Sequence, residues 1–208
     1  MTHSDQMTEL DLAVGAMITV RPDEDHEAYT EQHESISIVQ DQLRDEGIDI
    51  DLLAMPGTQV WEGGLEHMGA LYQLSRLAVH LERGDDVAQV IEDGPVIYEE
   101  ELDAALTDVW DDLTQTRFAH LVNLQGIDSY YLPADFAKPL WMPFENEEGE
   151  EDSAFFGSAH ALQREIAELG PLLINAGVKP NSDAYRCLEL LREAANQSIT
   201  HGLPVIIW

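Results

Sequence analysis

The chain has 208 residues, 44% of them hydrophobic, and carries ten Lys+Arg against 41 Asp+Glu, a formal net charge of −31. That length suits one large domain with a core that needs neither disulfides nor metals. The charge excludes a direct reader of nucleic acid and an anionic-membrane binder, which need basic patches. A lone Cys187 excludes a disulfide scaffold.

Residues 1–12 read as a loose polar N-terminus, without the basic flank and apolar run of a secretory signal. Residues 13–20 read as a strand that stops at Arg21-Pro22. Residues 23–45 read as a helix with an apolar stripe of Ile36, Val39 and Leu43. Its acidic stripe is Glu24, Glu27, Glu31 and Glu34, and Gly47 provides the stop. Pro56-Gly57 and Gly63-Gly64 punctuate a loop. Residues 65–83 read as a central helix, apolar over much of its circumference and ended by Gly84. Residues 99–125 read as the next helix, with Leu102, Leu106, Val109, Leu113 and His120 in phase and Gly126 as its end.

From residue 127 the pattern changes. Tyr130, Tyr131, Phe136, Trp141 and Phe144 crowd between Pro133, Pro139 and Pro143, which forces an extended or turn-rich path. Residues 145–152 hold six acids and read as a solvated surface loop. Residues 153–169 read as a helix broken at Gly170-Pro171. Asn181 is the expected cap of a final helix that runs to about His201 and ends at Gly202. Residues 203–208 read as a buried strand. The expected architecture is a single α+β domain, mainly helical, with about five helices and a small sheet from residues 13–20, 127–132 and 203–208.

Three accounts compete for the acidity. Intrinsic disorder conflicts with the helical recurrence of apolar residues. A nucleic-acid mimic needs carboxylates arrayed on one face, whereas the predicted helices all carry acids outward. Adaptation to salt is the third account, since at about 1 M ionic strength the Debye length is about 3 Å and self-repulsion is screened. Abundant acid with only two lysines resembles the cytoplasmic proteins of halophilic archaea. The resemblance is one of composition and implies a cytoplasmic protein with inorganic cations at its surface and a salt-dependent fold.

No motif names a reaction. There is no G-x-S-x-G and no phosphate-binding glycine loop. Histidine pairs lack the i, i+4 spacing of a helical metal site. His67, His120 and His160 from separate helices are the weak metal candidates, and no cofactor is expected. His120 reads as a hydrogen-bonded core residue. Ser158 and His160 point apart on a helix, and if that helix begins later Ser158 is its N-cap. Cys187 reads as a small core residue.

The aromatic segment is the candidate binding site: Tyr130, Tyr131, Asp135, Lys138, Trp141 and Phe144. It is either a lid on the core or a binding wall, and in a strand Tyr130 and Tyr131 face opposite sides. The expected function is non-catalytic binding of a small molecule or another protein. The alternatives are a metal-assisted hydrolase and an acidic decoy of nucleic acid. Direct nucleic-acid and membrane binding are not expected. A homo-oligomer seeded by Trp61, Trp110 or Phe118 is.

Overall fold

Apolar residues alternate along the strands, and the alternation divides them between the two faces of one sheet. In the computed structural model, residues 9–91, 99–125, 129–145 and 151–208 are described. The described strands are β1 (Leu10–Gly15), β2 (Gln59–Leu65), β3 (Ser129–Leu132), β4 (Leu140–Glu145), β5 (Glu151–Ser158) and β6 (Val205–Ile207). The helices are α1 (His26–Asp45), α2 (Gly69–Arg83), α3 (Glu100–Trp110), α4 (Ala119–Val122), α5 (Ala159–Asn175) and α6 (Asp183–His201). The strand order is β2-β1-β6-β3-β5-β4. β3 and β5 pair in parallel and the other pairs are antiparallel.

Leu10, Leu12, Val14, Tyr131, Phe155, Val205 and Ile207 point to one face, where they meet α2, α5 and α6 in the main core. Tyr130, Leu132, Met142, Ala154 and Phe156 point to the other and meet Leu43 of α1 in a smaller cluster. The chain is therefore α+β, but the sheet has six strands among the described residues where three were expected. Residues 10–12 belong to β1 rather than to a loose terminus, and residues 1–8 lie outside the described residues. The strand ends at Gly15, because Ala16 turns to donate its N–H to the Thr58 carbonyl.

Two expected helices are partly strand. Residues 65–68 precede α2, and Leu65 closes β2, so Gly63-Gly64 is strand rather than loop. Close approach demands glycine there. A Cβ on Gly64 would stand 2.5 Å from Asp11 Oδ1, and one on Gly63 2.7 Å from the Trp61 ring. Residues 151–158 form β5, hydrogen-bonded between β3 and β4, and α5 starts only at Ala159. Of the acidic stretch 145–152, Glu145 and Glu151 are cross-strand partners in the β4–β5 ladder, and residues 146–150 lie outside the described residues.

Other departures follow from packing. The expected helix 99–125 stops at Trp110, whose Nε1 donates to the Val122 carbonyl at 2.8 Å and folds the chain back. Asp112 turns left-handed (φ +56°), and Leu113 is 74% exposed instead of facing the core. The proposed stop at Gly126 lies outside the described residues. Conversely, α5 runs through Pro171, an exposed position where water can serve the freed carbonyl. Leu169 and Leu173, on either side of it, are fully buried. Ser182, one residue beyond Asn181, caps α6 by accepting from Tyr185 N. Phe118 is buried, and Trp61 and Trp110 are half-buried against the main core.

Candidate functional site

α1 begins where the Asp25 carboxylate accepts from Glu27 N and Ala28 N, both at 3.1 Å. It ends at Glu46, and Gly47 follows left-handed at φ +82°. Side chains hold it to the loops beside it: Gln32 Oε1 accepts from Thr19 N (2.8 Å) and Gln40 Oε1 from Leu52 N (2.7 Å). Ile36, Val39 and Leu43 face the sheet.

The opposite face of the same helix carries Glu27, Glu31, Glu34, Asp41 and Asp45, all exposed. The 3.6-residue turn keeps these positions in one narrow row, about 27 Å long at 1.5 Å per residue. Among the described residues only Asp41 has a counter-ion, Arg44 at 2.6 Å. Among the described residues, no basic side chain pairs with Glu27, Glu31, Glu34 or Asp45. The acidic stripe read from the sequence thus extends past Glu34 to the end of the helix. Residues 23–51 hold eleven carboxylates and one base.

The flank beyond the sheet differs. Residues 153–208, which supply α5 and α6, hold five carboxylates and four bases. Arg117 bonds Glu168, Arg186 bonds Asp183 and Arg192 bonds Glu189. Arg164 takes Asp135 with both guanidinium nitrogens at 2.7 and 3.1 Å, which lowers the Asp135 pKa. A second acidic group, Glu99, Glu100, Glu101, Asp108, Asp111 and Asp112, lies along and beside α3. The acids are therefore unevenly placed, against the dispersed arrangement expected. Totalling charge by segment would have revealed this without a structure.

The aromatic segment is split between the two faces. Tyr131 is fully buried and donates its hydroxyl to the His120 carbonyl at 2.7 Å. Tyr130 stacks on Phe156, with ring centroids 5.1 Å apart, beneath α1. Trp141 is 46% exposed and packs edge-on against Phe155. Lys138 and Trp141 line a hollow with Asp112 and Thr114. Asp135 is committed to Arg164, and the Phe144 side chain lies outside the described ones. The five described side chains do not converge on one pocket.

Nor do the histidines gather. Among the described residues no three His, Cys, Asp or Glu side chains are placed to hold a metal. His67 lies 3.5 Å from Asp183, and His160 is in the first turn of α5. His120 is buried, and its Nδ1 accepts from Ser158 N at 3.0 Å. Ser158 caps α5, accepting from Ala161 N and donating to the Ala134 carbonyl, so its hydroxyl is no nucleophile. Burial pushes the Cys187 thiol pKa far up.

Beside His120, the buried Glu165 carboxylate accepts from His120 N (3.0 Å) and Leu121 N (2.8 Å), the orphan donors at the start of α4. Burial raises the Glu165 pKa from 4.5 to about 7. Burial lowers that of His120 from 6.5 to about 4. The stability Glu165 confers is full below pH 4.5 and lost as pH rises through 7. That of His120 is full above pH 6.5 and lost as pH falls through 4. The two slopes oppose each other. Glu165→Gln should expose the His120 slope, costing on the order of 2 kcal/mol in urea unfolding as pH falls from 6.5 to 4.5. A variant with the parent's pH profile would refute the pairing.

No curated protein and no solved structure matches the chain. A family model described as "Putative DNA-mimic protein" matches residues 8–207, nearly the full length, and the chain belongs to that family.

Proposed function

We propose that the protein is an acidic decoy that occupies a DNA-binding protein through the carboxylate row of α1. The observation that carries this reading is the row itself: five exposed carboxylates in line on α1, four of them without a basic partner among the described residues, whereas the α5–α6 pair across the sheet is nearly neutral. Along one strand of B-DNA, negative charge recurs every 3.4 Å of axis. The row offers five carboxylates over about 27 Å, on a helix that keeps them in line. Cationic side chains that meet phosphates can meet this row in the same linear order.

Family membership corrects the expected partner. A mimic of DNA engages proteins that bind DNA, so the small-molecule reading of Tyr130, Tyr131, Asp135, Lys138, Trp141 and Phe144 is withdrawn. No described helix is long and apolar enough to cross a membrane. Adaptation to concentrated salt remains a companion proposal, since it accounts for the carboxylates outside the row, including those of α3.

The test is affinity capture from an extract of the source cells on the immobilised chain, eluting with duplex DNA or with polyglutamate of equal charge. The reading expects proteins that duplex DNA releases selectively and that shift duplex DNA on their own. Equal release by polyglutamate, with no DNA-binding activity among the released proteins, would overturn it.

A further inference from the structure

α1 closes its face of the sheet incompletely. Only Leu43 of its twenty residues is fully buried. Ile36 and Val39 are half-buried over a crevice of about 240 Å³, whose wall includes Met17, Tyr130, Met142 and Phe156. Gln42, Met142 and Pro143 also line a second hollow of about 320 Å³, which opens beside Asp45 and Glu46. These shared residues border both hollows, which lie side by side as a groove along the underside of the acidic helix.

The open end of that groove is charged against the helix's own interest. Asp45 and Glu46 stand at the C-terminus, where the helix dipole is already negative. Arg44, the cation that would offset them, is taken by Asp41. An occupant bringing positive charge relieves this repulsion, and one bringing an apolar side chain fills the crevice.

We propose that the groove docks a cationic amphipathic segment of the partner protein, its arginines at Asp45 and Glu46 and an apolar side chain beneath Ile36 and Val39. This rests on the decoy reading and adds an apolar contact that DNA itself does not offer. Charge complementarity selects the occupant, since a second copy would set two acidic faces against each other.

Two synthetic peptides of equal arginine content test it, one with leucines along one helical face and the other with serines in their place. At about 0.15 M salt, where exposed charges still interact over about 8 Å, the leucine peptide should bind about tenfold more tightly, the return expected from burying one apolar side chain. It should also shift the methyl resonances of Ile36, Val39 and Met142. Ile36→Ser should remove most of the advantage, and the wild-type methyl shifts report independently if that variant folds poorly. Equal binding of both peptides without methyl shifts overturns the groove and leaves the decoy reading standing. Binding of neither overturns both. Methyl shifts that follow the chain's own concentration, without peptide, assign the groove to a second copy and also overturn it.

Discussion

Converting Glu27, Glu31 and Glu34 to glutamine and Asp45 to asparagine is expected to weaken binding of the captured DNA-binding protein roughly 100-fold at about 0.15 M salt. Each exposed ion pair contributes about 0.7 kcal/mol, and four give about 3 kcal/mol. Close to 1 M salt the two proteins should differ little, because the Debye length shrinks to about 3 Å. The fold should survive. Glu27 favours the N-terminal end of the helix dipole, Asp45 opposes the C-terminal end, and their losses offset. Calorimetry across a salt series measures the effect. Parent-like affinity of the variant at 0.15 M would remove the row from the function.

Breaking the buried ion pair of the main core should produce the largest loss of stability. Arg76 Nε and Nη2 donate to the two Asp103 oxygens, each at 2.7 Å, and both side chains are fully buried. Asp103 also accepts from Glu99 N at 2.7 Å, so it ties the start of α3 to α2. The Arg76 guanidinium lies 5.2 Å from the Tyr72 ring centroid, and that ring packs in turn against Trp110. Burial and the Asp103 carboxylate together push the Tyr72 hydroxyl pKa far up, so it stays neutral beside the pair. Asp103→Ala strands a guanidinium in the core and should cost about 3–5 kcal/mol. The double variant Arg76→Met, Asp103→Leu should recover most of that, because the charge and its desolvation leave together. Chemical unfolding of the three proteins decides it, and a double variant no more stable than Asp103→Ala would contradict the account.

Neither partner of that pair was singled out from the sequence. Arg76 lies among Leu71, Leu74, Leu77 and Ala78, and Asp103 is 27 residues away. Elements with a local signature were legible. The Ile36, Val39 and Leu43 stripe and the acidic stripe of α1 repeat with the helical period. Gly84 and Gly202 end their helices left-handed, at φ +76° and +66°. The opposite facing of Tyr130 and Tyr131 follows from strand geometry, as does the conditional cap at Ser158 from a late helix start. β5 was misread because Phe155, Leu162, Ile166 and Leu169 also fit a helical phase. Phe155 and Phe156 instead alternate across the sheet, between β4 and the parallel β3.

By itself the amino-acid sequence determined the net charge of −31, the shortage of lysine, the amphipathic character of α1 and the buried terminal strand. These depend on composition or on neighbours within two turns. Only the tertiary structure decided that α1 and the α5–α6 pair lie on opposite faces of the sheet, which sets the unpaired row of α1 across the sheet from the Arg-paired carboxylates of α5 and α6, with the acidic α3 on the latter side. That decision belongs to strand pairing. Which side of a sheet a helix covers depends on registers between segments more than a hundred residues apart, such as Leu12 against Ile207, which no local period encodes.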